Sequence, residues 1–149
     1  MLMVAVCGSA AACGNDVTTT PSVIPPVPPG EVMDVMALEQ DGHPAAKDLD
    51  AAIHIETPAI SRCADPVRAI VRLRRGEIGF GRVGVVVDAI GRQGRELELT
   101  AVEVPPIFPP ETGFAECVKD ALTGKIPVIA SADYSVRSRV HLCVQPERP

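Results

Sequence analysis

The chain has 149 residues, 46% of them hydrophobic and only 3% aromatic, with no Trp and a formal net charge of −5. That length fits one domain with an extension, and its core must be built from Val, Ile, Leu and Ala. The acidic balance excludes a sequence-independent nucleic-acid binder, which needs a basic face to displace counterions, and so few aromatic rings leave little for base stacking.

The N-terminus comes first in chain order. "MLMVAV" is apolar but far shorter than the roughly 20 residues a membrane span needs. It runs into Gly8, Ser9 and three alanines, the pattern of a secretory signal near its cleavage point, so residues 1–12 are predicted to be a signal peptide whose true start lies further upstream if basic residues precede it. The run "AAACGN" resembles the lipobox of bacterial lipoproteins. That resemblance implies that Cys13 is lipidated on sulfur and becomes the first mature residue. Five of the ten residues from Pro21 to Gly30 are proline. Proline fixes φ and removes the N–H, so the stretch favours an extended polyproline II tether. Residues 13–48 are accordingly predicted to be a lipid-anchored, flexible tether, within which "EVMDVMALEQ" reads as a short helix or an edge strand.

Residues 49–146 are predicted to fold. "LDAAIHIE" reads as helix or strand. "ADPVRAIVRLRRGE" also admits both, but Pro66 at a first helical position and the spacing of Val67, Ile70 and Val71 favour a helix. In "GRVGVVVDAIGRQGRELELTAVEV", Val83, Val85 and Val87 alternate, "GRQG" turns the chain, and Leu97 and Leu99 resume the alternation, which predicts a hairpin. The apolar phase slips between Ala101 and Val102, so a bulge is expected there. "TGFAECVKDALTG" carries Phe114, Cys117, Val118, Ala121 and Leu122 on one helical stripe. The last predicted strand is "SVRSRVHLCV". It turns Val136, Val140, Leu142 and Val144 one way and Arg137, Arg139, His141 and Cys143 the other. An α+β fold, a three-stranded antiparallel sheet with two helices packed on one face, would bury these stripes. In that arrangement Cys63 and Cys117 both lie on the covered side, which predicts a Cys63–Cys117 disulfide and leaves Cys143 unpaired or paired between chains. Closing that loop is worth about 4 kcal/mol in the chain-entropy model.

Charge is unevenly laid out. Residues 31–60 carry seven acids and one Lys, residues 61–95 carry eight Arg and three acids, and residues 96–149 carry eight acids and five bases. The Arg-rich middle reads first as a solvated face, or as the counterpart of acidic segments in the same fold, before it reads as a patch for an external partner.

Residues 50–145, with the Gly-Arg-Val strand opening, the turn glycine Gly94 and the Cys-Val-x-x-Ala-Leu helix (Cys117, Val118, Ala121, Leu122), resemble the TonB C-terminal-like domains. They resemble most the variant in bacterial lipoproteins that has one cysteine before the hairpin and one in the second helix. The resemblance implies a small, non-catalytic protein-interaction module that pairs its sheet edge with a strand of another protein. No inner-membrane helix is predicted, so passive binding is the expected inheritance rather than energy transduction.

Catalytic signals are sparse. "GFGRVG" matches G-x-G-x-x-G formally at Gly79, Gly81 and Gly84. It opens a strand, where a dinucleotide fingerprint opens a helix, so nucleotide binding is not expected. His43, His54 and His141 lack zinc-like spacing to the cysteines, and neither a metal nor another cofactor is expected. His141 and Cys143 share one strand face, which leaves a periplasmic thiol-dependent enzyme as the rival to a binding protein. The reading favoured here is an exported, lipid-anchored protein of the bacterial cell envelope. It sits on the periplasmic side of a membrane and binds an envelope protein through its sheet edge or through Arg137, Arg139 and His141.

Overall fold

The structure is a computed structural model that describes Val4–Val6, residues 31–73 and residues 81–145. Cys13, the Pro-rich stretch and Gly79 lie outside the described residues. In chain order the elements are β1 (Val4–Val6), β2 (Met33–Asp34), α1 (Val35–Gln40), α2 (Pro44–Ala64), α3 (Arg68–Leu73), β3 (Arg82–Gly91), β4 (Glu96–Glu103), α4 (Phe114–Leu122), β5 (Gly124–Ile129) and β6 (Tyr134–Val144). Single 3-10 turns precede α3 and α4.

The sheet is wider than the three antiparallel strands that the sequence predicts, and it is mixed. Its order is β1-β6-β3-β4-β5, with β2 pairing in parallel on β6. The helix count also exceeds two. Both differences trace to α2, which has 21 residues and at 1.5 Å per residue is about 31 Å long. Three strands span only about 10 Å between the outer two, too narrow a floor for that helix. β5 widens the floor beyond β4, and β2 and β1 widen it beyond β6. Residues 33–48 therefore belong to the folded body, so the second half of the expected tether is structural. Val35 and Leu38 of α1 and Ala45, Ala46 and Leu49 of α2 are buried. Val4–Val6, within the segment read as a leader, pairs antiparallel with Leu142–Val144.

The core lies between the sheet and the helices. Val83, Val85, Val87 and Ala89 point inward from β3, Leu97, Leu99 and Val102 from β4, and Val136, Val140, Leu142 and Val144 from β6. They meet Leu49, Ala52, Ile53 and Ile60 of α2 and Phe114, Val118 and Leu122 of α4. The phase slip in β4 is a bulge. The register steps from Asp88↔Ala101 to Ala89↔Leu99, so Thr100 is the extra residue and Val102 returns to the core. Residues 65–73 are helical, a 3-10 turn followed by α3. Gly81 has φ +96° and leads the chain into β3, which is the role of a strand-entry glycine.

Two buried polar groups fix the ends of β6. At its start, the carboxylate of Asp48 on α2 accepts hydrogen bonds from the backbone N–H of Ser131 (3.0 Å), the Ser131 hydroxyl (3.1 Å) and the Tyr134 hydroxyl (2.6 Å). The Tyr134 ring lies over Gly91, where a Cβ would stand 2.5 Å from Cζ, so only glycine fits opposite it. Burial, and then the bond to Asp48, hold the Tyr134 hydroxyl far above its usual range of ionisation. At the far end, Arg68 donates through Nε to Asp65 (2.9 Å), through Nη1 to the Gln145 carbonyl (3.1 Å), and through Nη2 to the Ser61 carbonyl and hydroxyl (both 2.9 Å).

Pro127 and Lys125 lie on β5, the outer strand at the β4 side of the sheet. A proline donates no ladder hydrogen bond, and an exposed Lys discourages a further strand. The β4–β5 register also shifts between Glu96 and Leu97.

Candidate functional site

Alternation along β3 and β6 turns every second side chain away from the helices, onto the opposite face of the sheet. On β6 these are Arg137, Arg139, His141 and Cys143, and on β3 they are Arg82, Gly84, Val86, Asp88 and Ile90. The structure therefore gathers Arg137, Arg139 and His141 on one open face. Their environments differ.

Arg137 is already engaged within the chain. Its Nη2 donates to Glu103 at 2.8 Å, and its Nε stands 3.6 Å from Asp88, an ion-pair distance. His141 Nε2 lies 2.7 Å from an Asp34 carboxylate oxygen. The other Asp34 oxygen accepts from the Met36 N–H at 2.9 Å, so the same side chain caps α1. Burial works to raise the Asp34 carboxyl, but the hydrogen bonds from His141 and Met36, with the charges of His141 and Arg139, outweigh it and hold the group below its ordinary range. The aspartate is thus ionised and His141 is the donor. Arg139 is exposed, and its aliphatic stem lies across Gly84, where a Cβ would stand 3.1 Å from Cδ and 3.4 Å from Cγ.

Cys63 and Cys117 are joined by a disulfide that ties α2 to α4, with Cα atoms 5.4 Å apart. Cys117 does not lie on the buried stripe where the sequence places it. The buried line of α4 is narrower, Phe114, Val118 and Leu122, and Cys117 sits at its exposed margin with its sulfur reaching back to buried Cys63. Cys143 is also disulfide-bonded. Of the two expected states, unpaired or paired between chains, the unpaired one does not hold. In this state residue 143 presents no thiol beside His141.

His43 caps α2 through Nδ1, which accepts from the Ala45 N–H at 3.1 Å, and its ring meets Tyr134 edge-on. His54 is exposed beside Asp50 on α2. Among the described residues, no three His, Cys, Asp or Glu side chains come together as a metal site, and no helix is long and apolar enough to cross a membrane. Sequence reasoning missed Asp34 as the partner of His141, because the two are 107 residues apart and only the β2–β6 pairing joins them. It also missed Arg82 and Gly84 as parts of the Arg139 surface; the period-2 alternation of β3 was the available signal. No protein-family model, curated protein or solved structure matches this chain.

Proposed function

We propose that this is an exported, lipid-anchored envelope protein, held at the membrane through Cys13, whose folded body is a non-catalytic module that binds another protein through the open face of β6 and β3. The observation that carries the binding reading is that face itself: a sheet surface bearing exposed Arg139 and half-buried Val86 and Ile90. The blunted β5 edge and the occupation of part of the β6 edge by β2 weigh toward the face over the edge as the binding surface. The Cys63–Cys117 bridge supports an oxidising compartment, since cytosolic thiols are kept reduced. The Pro-rich segment after Cys13 supports a spacer between anchor and body.

Intact mass spectrometry of the natively expressed protein tests this reading. The expected product begins at Cys13, carries acyl chains there, lacks residues 1–12 and has lost two hydrogens per disulfide. A product with its first methionine retained and all sulfhydryls free overturns the envelope assignment. Labelling of the reduced protein by a thiol-reactive probe at neutral pH tests the binding-module reading separately. An activated Cys143 reacting faster than an ordinary exposed thiol would favour the enzyme instead.

A further inference from the structure

We infer that the open face holds a carboxylate-binding trough, floored by Gly84 and walled by Arg82, Arg139 and His141, that takes an acidic, extended segment of the partner protein. The inference rests on the binding reading above and names the chemistry of the partner.

The geometry follows from register. Arg82↔Cys143, Gly84↔His141 and Val86↔Arg139 are successive cross-strand pairs, and all six side chains or their absence belong to the outward face. Gly84 contributes no side chain, so the surface is lowest there. The Arg139 stem turns from its own position over that gap, toward the Arg82 end of the face. Arg82 begins about 6.6 Å along β3 from Gly84. The Arg139 stem therefore lies over a bare stretch of backbone, two residues along β3 from the position of Arg82.

The charges on this face are not equally committed. Arg137 is matched by Asp88 and Glu103, and His141 by Asp34. Arg82 and Arg139 are exposed and have no hydrogen bond or salt bridge among the described residues, although Arg139 lies within electrostatic reach of Asp34. In a chain of net charge −5 they form a local cationic spot. Planar guanidinium forks match carboxylates bidentately. The flat sheet beside them, with half-buried Val86 and Ile90, suits an extended chain whose alternate side chains meet Arg and aliphatic surface in turn.

The test uses the full chain with its disulfides intact and, as probe, a short fluorescein-labelled peptide of alternating glutamate and alanine, followed by anisotropy. Binding should weaken as ionic strength rises. Arg139→Gln and Arg82→Gln should each weaken it about tenfold. Gly84→Ala should weaken it too, with no change in charge, because the new Cβ displaces the Arg139 stem. Gly84 has ordinary backbone angles and the neighbour is a flexible side chain, so the fold is retained and circular dichroism should be unchanged. Arg92→Gln, at the exposed hairpin turn, should stay within about twofold. No binding, equal loss in Arg92→Gln, or an unaffected Gly84→Ala each overturns the trough. Crosslinking in native envelopes separates this inference from its foundation. A protein captured equally by wild type and Arg139→Gln upholds the binding module and removes the acidic trough, whereas capture lost in Arg139→Gln supports both.

Discussion

β6 carries charged contacts of two kinds, at its ends and along its middle. At the ends Asp48 and Arg68, 4% and 3% exposed, reach the residues that flank or open the strand, each through several hydrogen bonds. Along the middle, Arg137 and its partner Glu103 are 33% and 66% exposed, and Arg139 has no hydrogen bond or salt bridge among the described residues. A charge withdrawn from water must be satisfied by the protein, and removing one member strands the others. A hydrated pair loses little when broken, because water replaces the partner. The ends of β6 thus hold the fold together while the middle is left available for recognition.

The largest expected effect is at Arg68. Arg68→Ala should lower unfolding free energy by about 3–5 kcal/mol in chemical denaturation, since four acceptors lose their donor together. Arg68→Lys should recover less than half of that, because a single ammonium does not span Asp65, Ser61 and Gln145. Asp48→Ala should cost about 2–3 kcal/mol and Tyr134→Phe about 1 kcal/mol. Losses below 1 kcal/mol at both Arg68 and Asp48 would erase the contrast between ends and middle. Gly91→Ala forces a Cβ against the Tyr134 ring and the Ala132 carbonyl, and should destabilise by about 1–3 kcal/mol.

A smaller effect concerns pH. Burial holds His43 below its ordinary value of 6.5, against a modest opposing pull from Asp41, and its neutral Nδ1 is the acceptor that caps α2. The folded state therefore favours the neutral ring. Its contribution is fully present above pH 6.5 and is lost as pH falls through that value toward the lower folded-state pKa. His43→Asn, which keeps a capping oxygen, should flatten this part of a stability-versus-pH curve measured by thermal melting. The smallest effect is at the middle of β6. A double-mutant cycle with Arg137→Gln and Glu103→Gln should give a coupling below about 1 kcal/mol, falling further in salt. A larger coupling would assign Arg137 to the structural set.

Local pattern made some of this legible and long-range pairing hid the rest. The valine alternation of β3, the turn before β4, the bulge and the α4 stripe are all short-range signals. The full length of α2 was not, because Thr57 and Pro58 interrupt it; the Thr57 hydroxyl donates to the Ile53 carbonyl at 2.8 Å, and Pro58 lies inside the helix. β5 was not predicted; it tolerates Pro127 because it lies at the sheet edge. Arg68 sits in a run of arginines that reads as solvated, and its burial depends on Gln145, 77 residues away. The outward set on β6 was visible from alternation alone, but which members were already engaged depended on Asp34, Asp88 and Glu103 from three other strands.

The blunt outer strand bears on what happens when many copies accumulate side by side. A sheet whose last strand lacks a donor at Pro127 and offers Lys125 to its neighbour is a poor template for another molecule's edge. Crowding on a surface should therefore leave these molecules as separate units, without zippering into fibres along that border.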